Sequence, residues 1–257
     1  MGKASRRKRT GTARERVAAQ RARERAAEKR RRIAWYGGGG VAAAVIIALI
    51  AVFATQGHAT TEVIPPSVSG GTPNVQPPAQ VAKNTTGIAG VTAYNTTGWP
   101  TRSHNGPASR ALPHQHVSGP VKYSVNPPVG GDHNPVWMNC GVYTKPVPVE
   151  HAVHNLEHGA IWITYQPSLP KAEVSQLTDF FKRQKTVGKT GSRYIDVTPY
   201  PGLPSPIVAS SWGFQLRLTS PTDPRLQRFV NLLRVSPKYT PEYGGPCTGG
   251  VGTPAEK

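Results

Sequence analysis

Histidine is dense in one part of this chain. Six of its eight histidines fall within 45 residues, and neutral imidazole is the commonest transition-metal ligand in proteins. Three or four such groups in one folded domain could bind zinc or copper. The alternative is structural, with the same rings packed and hydrogen-bonded in a core. The six are His114, His116, His133, His151, His154 and His158.

The last three of these histidines lie between a proline and a glycine. If Pro148 opens a helix and Gly159 closes it, the three rings share one face of that helix, and chelation becomes possible. If the segment is a strand, His154 and His158 lie roughly 13 Å apart, too far to share an ion.

The motif H-x-x-E-H, ending in Glu157 and His158, is also the spelling of one class of zinc protease. Gly159 would end the helix directly after this motif, where an active-site helix should continue. The sequence contains no G-x-S-x-G elbow, Walker loop or C-x-x-C motif, so other hydrolase, nucleotide-binding and thioredoxin-type functions lack support. We therefore favour a protein that is not an enzyme.

The chain has two cysteines, Cys140 and Cys247. In an oxidising compartment we expect them to form a disulfide that closes a long loop and ties the C-terminal segment to the domain. The alternative makes Cys140 a soft metal ligand beside Met138.

Charge and hydropathy predict a membrane anchor. Residues 1–32 hold 14 basic and three acidic residues, whereas residues 33–61 hold no Asp, Glu, Lys or Arg and one histidine, His58. That uncharged span is long enough to cross a bilayer as a helix. A cleaved signal peptide is the alternative, but its basic region would be much shorter and an A-x-A site would follow.

The basic flank predicts the orientation and the partners of the anchor. By the positive-inside rule the N-terminus is cytoplasmic and the C-terminus extracytoplasmic, in the plasma membrane. Lipid bilayer and anionic lipid head groups are then the partners of the tail. Nucleic acid is a less favoured partner of the same arginines. Cell-wall or other envelope proteins could contact the external part.

Composition divides the chain into five parts. Prolines, threonines and glycines predominate from about residue 58 to 110, where few large apolar residues could build a core. The predicted parts are a basic cytoplasmic tail (1–32), a transmembrane helix (33–55), a disordered stalk (56–110), an extracytoplasmic domain (111–250) and a disordered C-terminus (251–257).

Periodicity predicts the fold of the domain. We expect strands at residues 160–165, 194–198 and 207–218, and amphipathic helices at 171–186 and 224–235. This order of elements predicts an α+β fold, with a small sheet and helices packed on one side of it.

Several motifs resemble those of the domain-of-unknown-function family 3105, over about residues 111–247. The resemblance rests on Pro127-Pro128, Gly131-Asp132-His133, Cys140-Gly141-Val142-Tyr143 and the run from His154 to Gly159. The chain departs from the family pattern at Val129-Gly130, where Thr-Ser is more usual. The resemblance implies bacterial membrane proteins and makes His116, His133, His154 and His158 the matched histidines.

Three functions remain open from the sequence. The first is a membrane-anchored domain that binds zinc or copper through these four histidines, with Glu157 as an outer partner of a ligand or as a base. The second is a structural or interaction domain of the cell envelope without a metal. The third is a zinc-dependent hydrolase.

Overall fold

The computed structural model of the chain describes residues 61–68, 70–96, 114–188 and 191–257. Three helices and eight strands in these ranges form a mixed α+β fold, as predicted. In chain order they are β1 (Asn74–Val75), β2 (Val81–Ala82), β3 (Val91–Tyr94), β4 (Val121–Lys122), α1 (Val149–Glu157), β5 (Ile161–Tyr165), α2 (Lys171–Arg183), β6 (Ile195–Pro199), β7 (Ile207–Ser211), β8 (Phe214–Leu218) and α3 (Pro224–Leu233).

The predicted tail (1–32) and transmembrane helix (33–55) lie outside the described residues. Among the helices in the described ranges, none has the length and apolar character that crossing a membrane requires.

Six strands form one sheet in the order β2-β3-β8-β7-β5-β6. β5 and β6 are parallel, and the other neighbours in this sheet are antiparallel. The parallel pair is connected through α2, the kind of crossover that parallel strands need. β1 and β4 form a separate parallel pair.

Side chains of β5 alternate between two cores, one on each face of the sheet. Ile161 and Ile163 belong to the cluster that contains the apolar residues of α2 and α3. Trp162 belongs to a second cluster, with Val153 and Leu156 of α1. Helices thus cover both faces of the sheet, and the prediction of helices on one side was wrong. The apolar residues of α1 form only a narrow stripe among polar ones, so its packing against the sheet was not recognised.

The predicted stalk includes part of the folded domain. β3 pairs with β8 in the main sheet, and Ile88, Val91 and Ala93 are buried in the larger core. The alternation of Val91 and Ala93 is a strand signal only four residues long, which the surrounding proline-rich sequence hides. Pairing with β3 and β2 covers the edge that β8 would otherwise expose. The rest of the predicted stalk, residues 56–60, 69 and 97–110, is not described.

Residues 207–218, predicted as one strand, form a hairpin of β7 and β8. Gly213, at the turn, has φ of 76°, a conformation that glycine adopts at low cost. Only two residues separate the strands, and apolar residues continue on both sides of them. The hydrophobic pattern alone therefore does not reveal the turn.

The C-terminal segment, predicted to be disordered, also pairs with the domain. Val251 bridges Met138, and Glu256 bridges Val142. Backbone groups of Asn139 and Val142 gain hydrogen-bond partners in this way. These backbone bonds order residues 251–257 although the segment has few apolar side chains.

α1 begins and ends where its proline and glycine predict. Pro148 precedes its first residue with an extended backbone, and Gly159 follows with φ of 99°. A Cβ atom at Gly159 would lie 2.9 Å from the Cα atom of Val235, so a larger residue would not fit here. The helix therefore ends at Glu157, with His158 as its C-cap, and the chain turns into β5.

Candidate metal-binding site

α1 carries three members of the candidate site on one turn. His154 and His158 are four residues apart and so lie on the same face of the helix, and Glu157 lies beside them. All three side chains are about 2 % exposed. Such strongly polar groups are rarely buried unless they bind one another or a ligand.

Two loop histidines are brought to this face by a short backbone pairing. His116 and His133 form a parallel bridge, in which Val117 N donates to His133 O (2.8 Å) and His133 N to Gln115 O (3.0 Å). Their rings lie 5.0 Å apart and each lies about as close to the ring of His154. The side chain of His133 is fully buried, whereas that of His116 is 44 % exposed.

The ligating atoms of four residues lie within 4.8 Å of one another. Inside this group, one oxygen of Glu157 lies 2.8 Å from His133 Nε2 and 3.6 Å from His116 Nε2. His158 lies outside the group, but its Nε2 is 3.0 Å from His154 Nε2. The group consists of His116, His133, His154 and Glu157; we call these four residues together with His158 the histidine cluster.

Hydrogen bonds fix which nitrogen of three rings faces the cluster. Nδ1 of His133 lies 2.8 Å from Gly131 O, Nδ1 of His154 is 2.6 Å from Asn134 O, and Nδ1 of His158 is 2.6 Å from Pro246 O. Because a carbonyl oxygen only accepts, each Nδ1 must carry the proton. In the neutral ring Nε2 then presents a lone pair, which is the form that binds metal.

Burial opposes protonation of the two helix histidines. Loss of solvation lowers the pKa of His154 to about 3, against the hydrogen bond to Asn134 O and the nearby carboxylate, which raise it. Burial likewise lowers the pKa of His158. Both rings are therefore neutral around neutral pH.

Glu157 stays ionised in the cluster. Burial alone would raise its pKa, but the hydrogen bond to His133 and the neighbouring imidazoles outweigh this effect and lower it. The carboxylate can thus serve as an anionic ligand, whereas the sequence predicted Glu157 as an outer partner or a base.

Two further side chains lie at the site but were not in the ligand set that the sequence predicted. His114 Nδ1 lies 3.6 Å from the second oxygen of Glu157, and Glu242 lies 3.5 Å from His158 Nε2. The i, i+2 spacing of His114 and His116 was a usable signal, since alternate residues of an extended segment share a side. No local signal points to Glu242.

His151 lies on α1 like His154, but its ring nitrogen Nδ1 bonds to Val136 O, outside the group of ligating atoms.

Cys140 and Cys247 lie at disulfide distance, with their Cα atoms 5.3 Å apart, and are bonded to each other. The alternative of Cys140 as a metal ligand beside Met138 therefore does not describe this structure. Met138 is fully buried in the core cluster around Trp162.

No curated protein and no solved structure matches the chain significantly. Residues 114–249, more than half of the sequence, match the family described as "Protein of unknown function (DUF3105)", and every member of the histidine cluster lies inside the matched region. The chain belongs to this family of proteins of unknown function, DUF3105.

Proposed function

We propose that this protein is a membrane-anchored, extracytoplasmic metal-binding protein, and that the histidine cluster binds one divalent transition-metal ion. The observation that carries the proposal is the 3.0 Å distance between the Nε2 atoms of His154 and His158, which face each other while both Nδ1 atoms donate to carbonyl groups.

Two neutral rings in this arrangement present lone pairs to each other, which is repulsive unless a cation lies between or beside them. A proton could play that part, but burial lowers the pKa of both rings. A metal ion fits better, because metal binding requires the unprotonated form that burial favours. His133 Nε2 and the carboxylate of Glu157 are hydrogen-bonded at 2.8 Å, and a metal ion bound by both would take the place of the shared proton.

The donor set supports a borderline ion such as Zn²⁺ or Cu²⁺. Imidazole nitrogen and carboxylate oxygen suit both ions, and the Nε2 atoms of His154 and His158, 3.0 Å apart, are close enough together for each to reach one ion at about 2.0–2.1 Å. The hydrogen bonds from Nδ1 to main-chain carbonyls are the outer contacts that orient ligating histidines in metal sites. His116, which is half-exposed, leaves one side of the site open to solvent.

The proposed location of the protein is supported by features other than the histidine cluster. The uncharged span at residues 33–55 and the basic tail before it support a single membrane anchor with the C-terminus outside. The disulfide supports an oxidising compartment for the domain. Fusion of a reporter that is active only outside the membrane should give activity after Lys257 and none before Ile33, and the reverse pattern would refute the anchor.

Metal analysis of the purified full chain tests the binding itself. After loading with Zn²⁺ or Cu²⁺ and removal of free ion, we expect about one ion per chain. His133→Ala and His154→Ala should lose it, whereas His151→Ala should keep it, because His151 is a buried histidine of the same helix outside the ligand group. If the unsubstituted chain retains no ion, the histidines are structural and the domain is an envelope component without a metal.

A further inference from the structure

One side of the histidine cluster is formed by the strap, which we define as residues 242–247. Its conformation is irregular and includes two consecutive glycines, Gly244 and Gly245. It begins at Glu242, whose backbone N donates to Glu157 O (3.0 Å), and it ends at Cys247. A segment without helix or strand hydrogen bonds depends for its order on such contacts at its two ends and on one between them, where Tyr194 Oη donates to Gly245 O (2.9 Å).

Three parts of the strap bear on His158. Pro246 O accepts from His158 Nδ1 at 2.6 Å, Glu242 lies 3.5 Å from His158 Nε2, and Gly245 packs against the ring. A Cβ atom at Gly245 would lie 2.4 Å from His158 Cδ2. The strap therefore fixes the tautomer and the position of this ring.

The strap is joined to the rest of the domain by the disulfide of Cys140 and Cys247. Pro246, the residue that bonds to His158, directly precedes Cys247. The partner cysteine is also next to α1, because Asn155 Nδ2 lies 3.4 Å from Cys140 Sγ. The disulfide thus connects the strap to the helix that carries His154, Glu157 and His158.

A buried carboxyl lies beside the same sulfur. Asp196 Oδ2 is 3.7 Å from Cys140 Sγ, and Asp196 accepts hydrogen bonds from Asn155 Nδ2 (2.8 Å) and Gly141 N (3.2 Å). Burial raises the pKa of Asp196 to about 7. An amide donor and a carboxyl that can hold a proton near neutral pH are suitable neighbours for a thiolate released by reduction.

We infer that the disulfide of Cys140 and Cys247 is a reducible switch of the metal site, and that a dithiol reductant which opens it frees the strap, displaces His158 and weakens metal binding. This inference rests on the proposed metal-binding function. It names a dithiol protein or small dithiol as the partner of the domain.

The exchange is balanced without another reactant. Both cysteines are buried, Cys140 at 6 % and Cys247 at 0 % exposed, so the attack takes place when the strap opens locally. A thiolate of the dithiol then attacks Cys140 Sγ, and Cys247 leaves as a thiolate. The second thiol of the reductant then attacks the mixed disulfide and releases Cys140. The reductant becomes a disulfide, and its two protons pass to Cys140 and Cys247, the former with Asp196 in reach.

Zn²⁺ affinity of the full chain in two oxidation states tests the inference. Zn²⁺ has no redox chemistry of its own, and the affinity is measured by competition with a chromophoric chelator after the reductant has been removed under anaerobic conditions. We expect reduction to weaken binding by about tenfold to 100-fold, the effect typical of losing an outer contact of a ligand. The variant Cys140→Ser/Cys247→Ser should show the same loss with no thiol to bind Zn²⁺.

Two variants separate the switch from general unfolding. Gly245→Ala keeps both cysteines and should lose affinity in the oxidised state, whereas Tyr243→Ala, which truncates a strap side chain that is 58 % exposed, should not. In His158→Ala, reduction should leave the remaining affinity unchanged. If the oxidised chain binds Zn²⁺ and the reduced chain binds it equally well, the switch is refuted; if the oxidised chain binds none, the proposed function itself fails.

Discussion

His154 and His158 face each other through Nε2 atoms 3.0 Å apart, and each ring donates its Nδ1 proton to a main-chain carbonyl. The one-turn spacing on α1 brings the rings together, and the carbonyls of Asn134 and Pro246 set their orientation. Two carbonyl groups far apart in sequence thus orient the two rings so that their Nε2 lone pairs point at the same position. This relationship makes the stability of the metal-free chain sensitive to protons.

The first prediction concerns acid stability of the metal-free chain. The pKa of His154 falls from 6.5 when solvated to about 3 in the folded protein. Between these values the unfolded chain binds more protons than the folded one, so the free energy of unfolding falls as pH drops from about 6.5 towards 3. His154→Gln cannot take up this proton, and its stability should depend less on pH.

Denaturant unfolding at pH 7.5 and 4.5, with a chelator present, measures this effect. Asp196 acts in the opposite direction, because its raised pKa makes the folded state take up a proton first as pH falls below about 7. That contribution is common to both proteins and cancels in the comparison. An equal change with pH in the two proteins would show that His154 is not responsible.

The second prediction concerns the disulfide as a structural bond. Cys140 and Cys247 are 107 residues apart, so the bond constrains a long loop of the unfolded chain. Loss of this constraint should lower the free energy of unfolding by about 4 kcal/mol. Cys140→Ser, Cys247→Ser and the double variant should all lose the same amount in denaturant unfolding. A larger loss in one single variant would mean that its cysteine has a second role.

The third prediction tests whether residues 88–94 belong to the core. Ile88 is 2 % exposed and belongs to the larger hydrophobic cluster, whereas Val81, in the neighbouring strand β2, is 72 % exposed. Ile88→Ala should cost about 2–5 kcal/mol of unfolding free energy, as large-to-small core substitutions do. Val81→Ala serves as the control and should change stability little. Similar values for both would place this segment outside the core.

Local sequence patterns predicted the elements whose signals are local. The apolar residues of α2 and α3 recur with helical spacing, and Pro148 and Gly159 mark the ends of α1. The density of histidine and the family motifs pointed to His116, His133, His154 and His158. These features could be recognised because each depends on a short run of residues.

Pairings between distant segments could not be read in the same way. β3 joins β8 across more than a hundred residues, and Glu242 reaches His158 from a loop that its bond to Glu157 O and the disulfide hold in place. A strand of four residues in a proline-rich stretch and one glutamate in a glycine-rich loop carry no distinctive pattern. The folded chain brings them into contact through tertiary structure that their local sequence does not encode.

The last prediction distinguishes a ligating carboxylate from an ordinary buried one. α1 carries two buried glutamates: Glu157 lies within the group of ligating atoms, whereas Glu150 accepts a hydrogen bond from Val121 N (2.9 Å) outside it. Glu157→Gln keeps the shape of the side chain but removes the negative charge that faces His133 and His116. Metal affinity should fall by about tenfold to 100-fold or more.

Glu150→Gln is the matched control, because it makes the same chemical change on the same helix, with similar burial. The amide oxygen can still accept from Val121 N, so this variant should bind Zn²⁺ as tightly as the unsubstituted chain. Titration of both variants by chelator competition, with circular dichroism to verify folding, gives the comparison. Equal affinity in the two variants would remove Glu157 from the ligand set and leave the imidazoles alone to bind the ion.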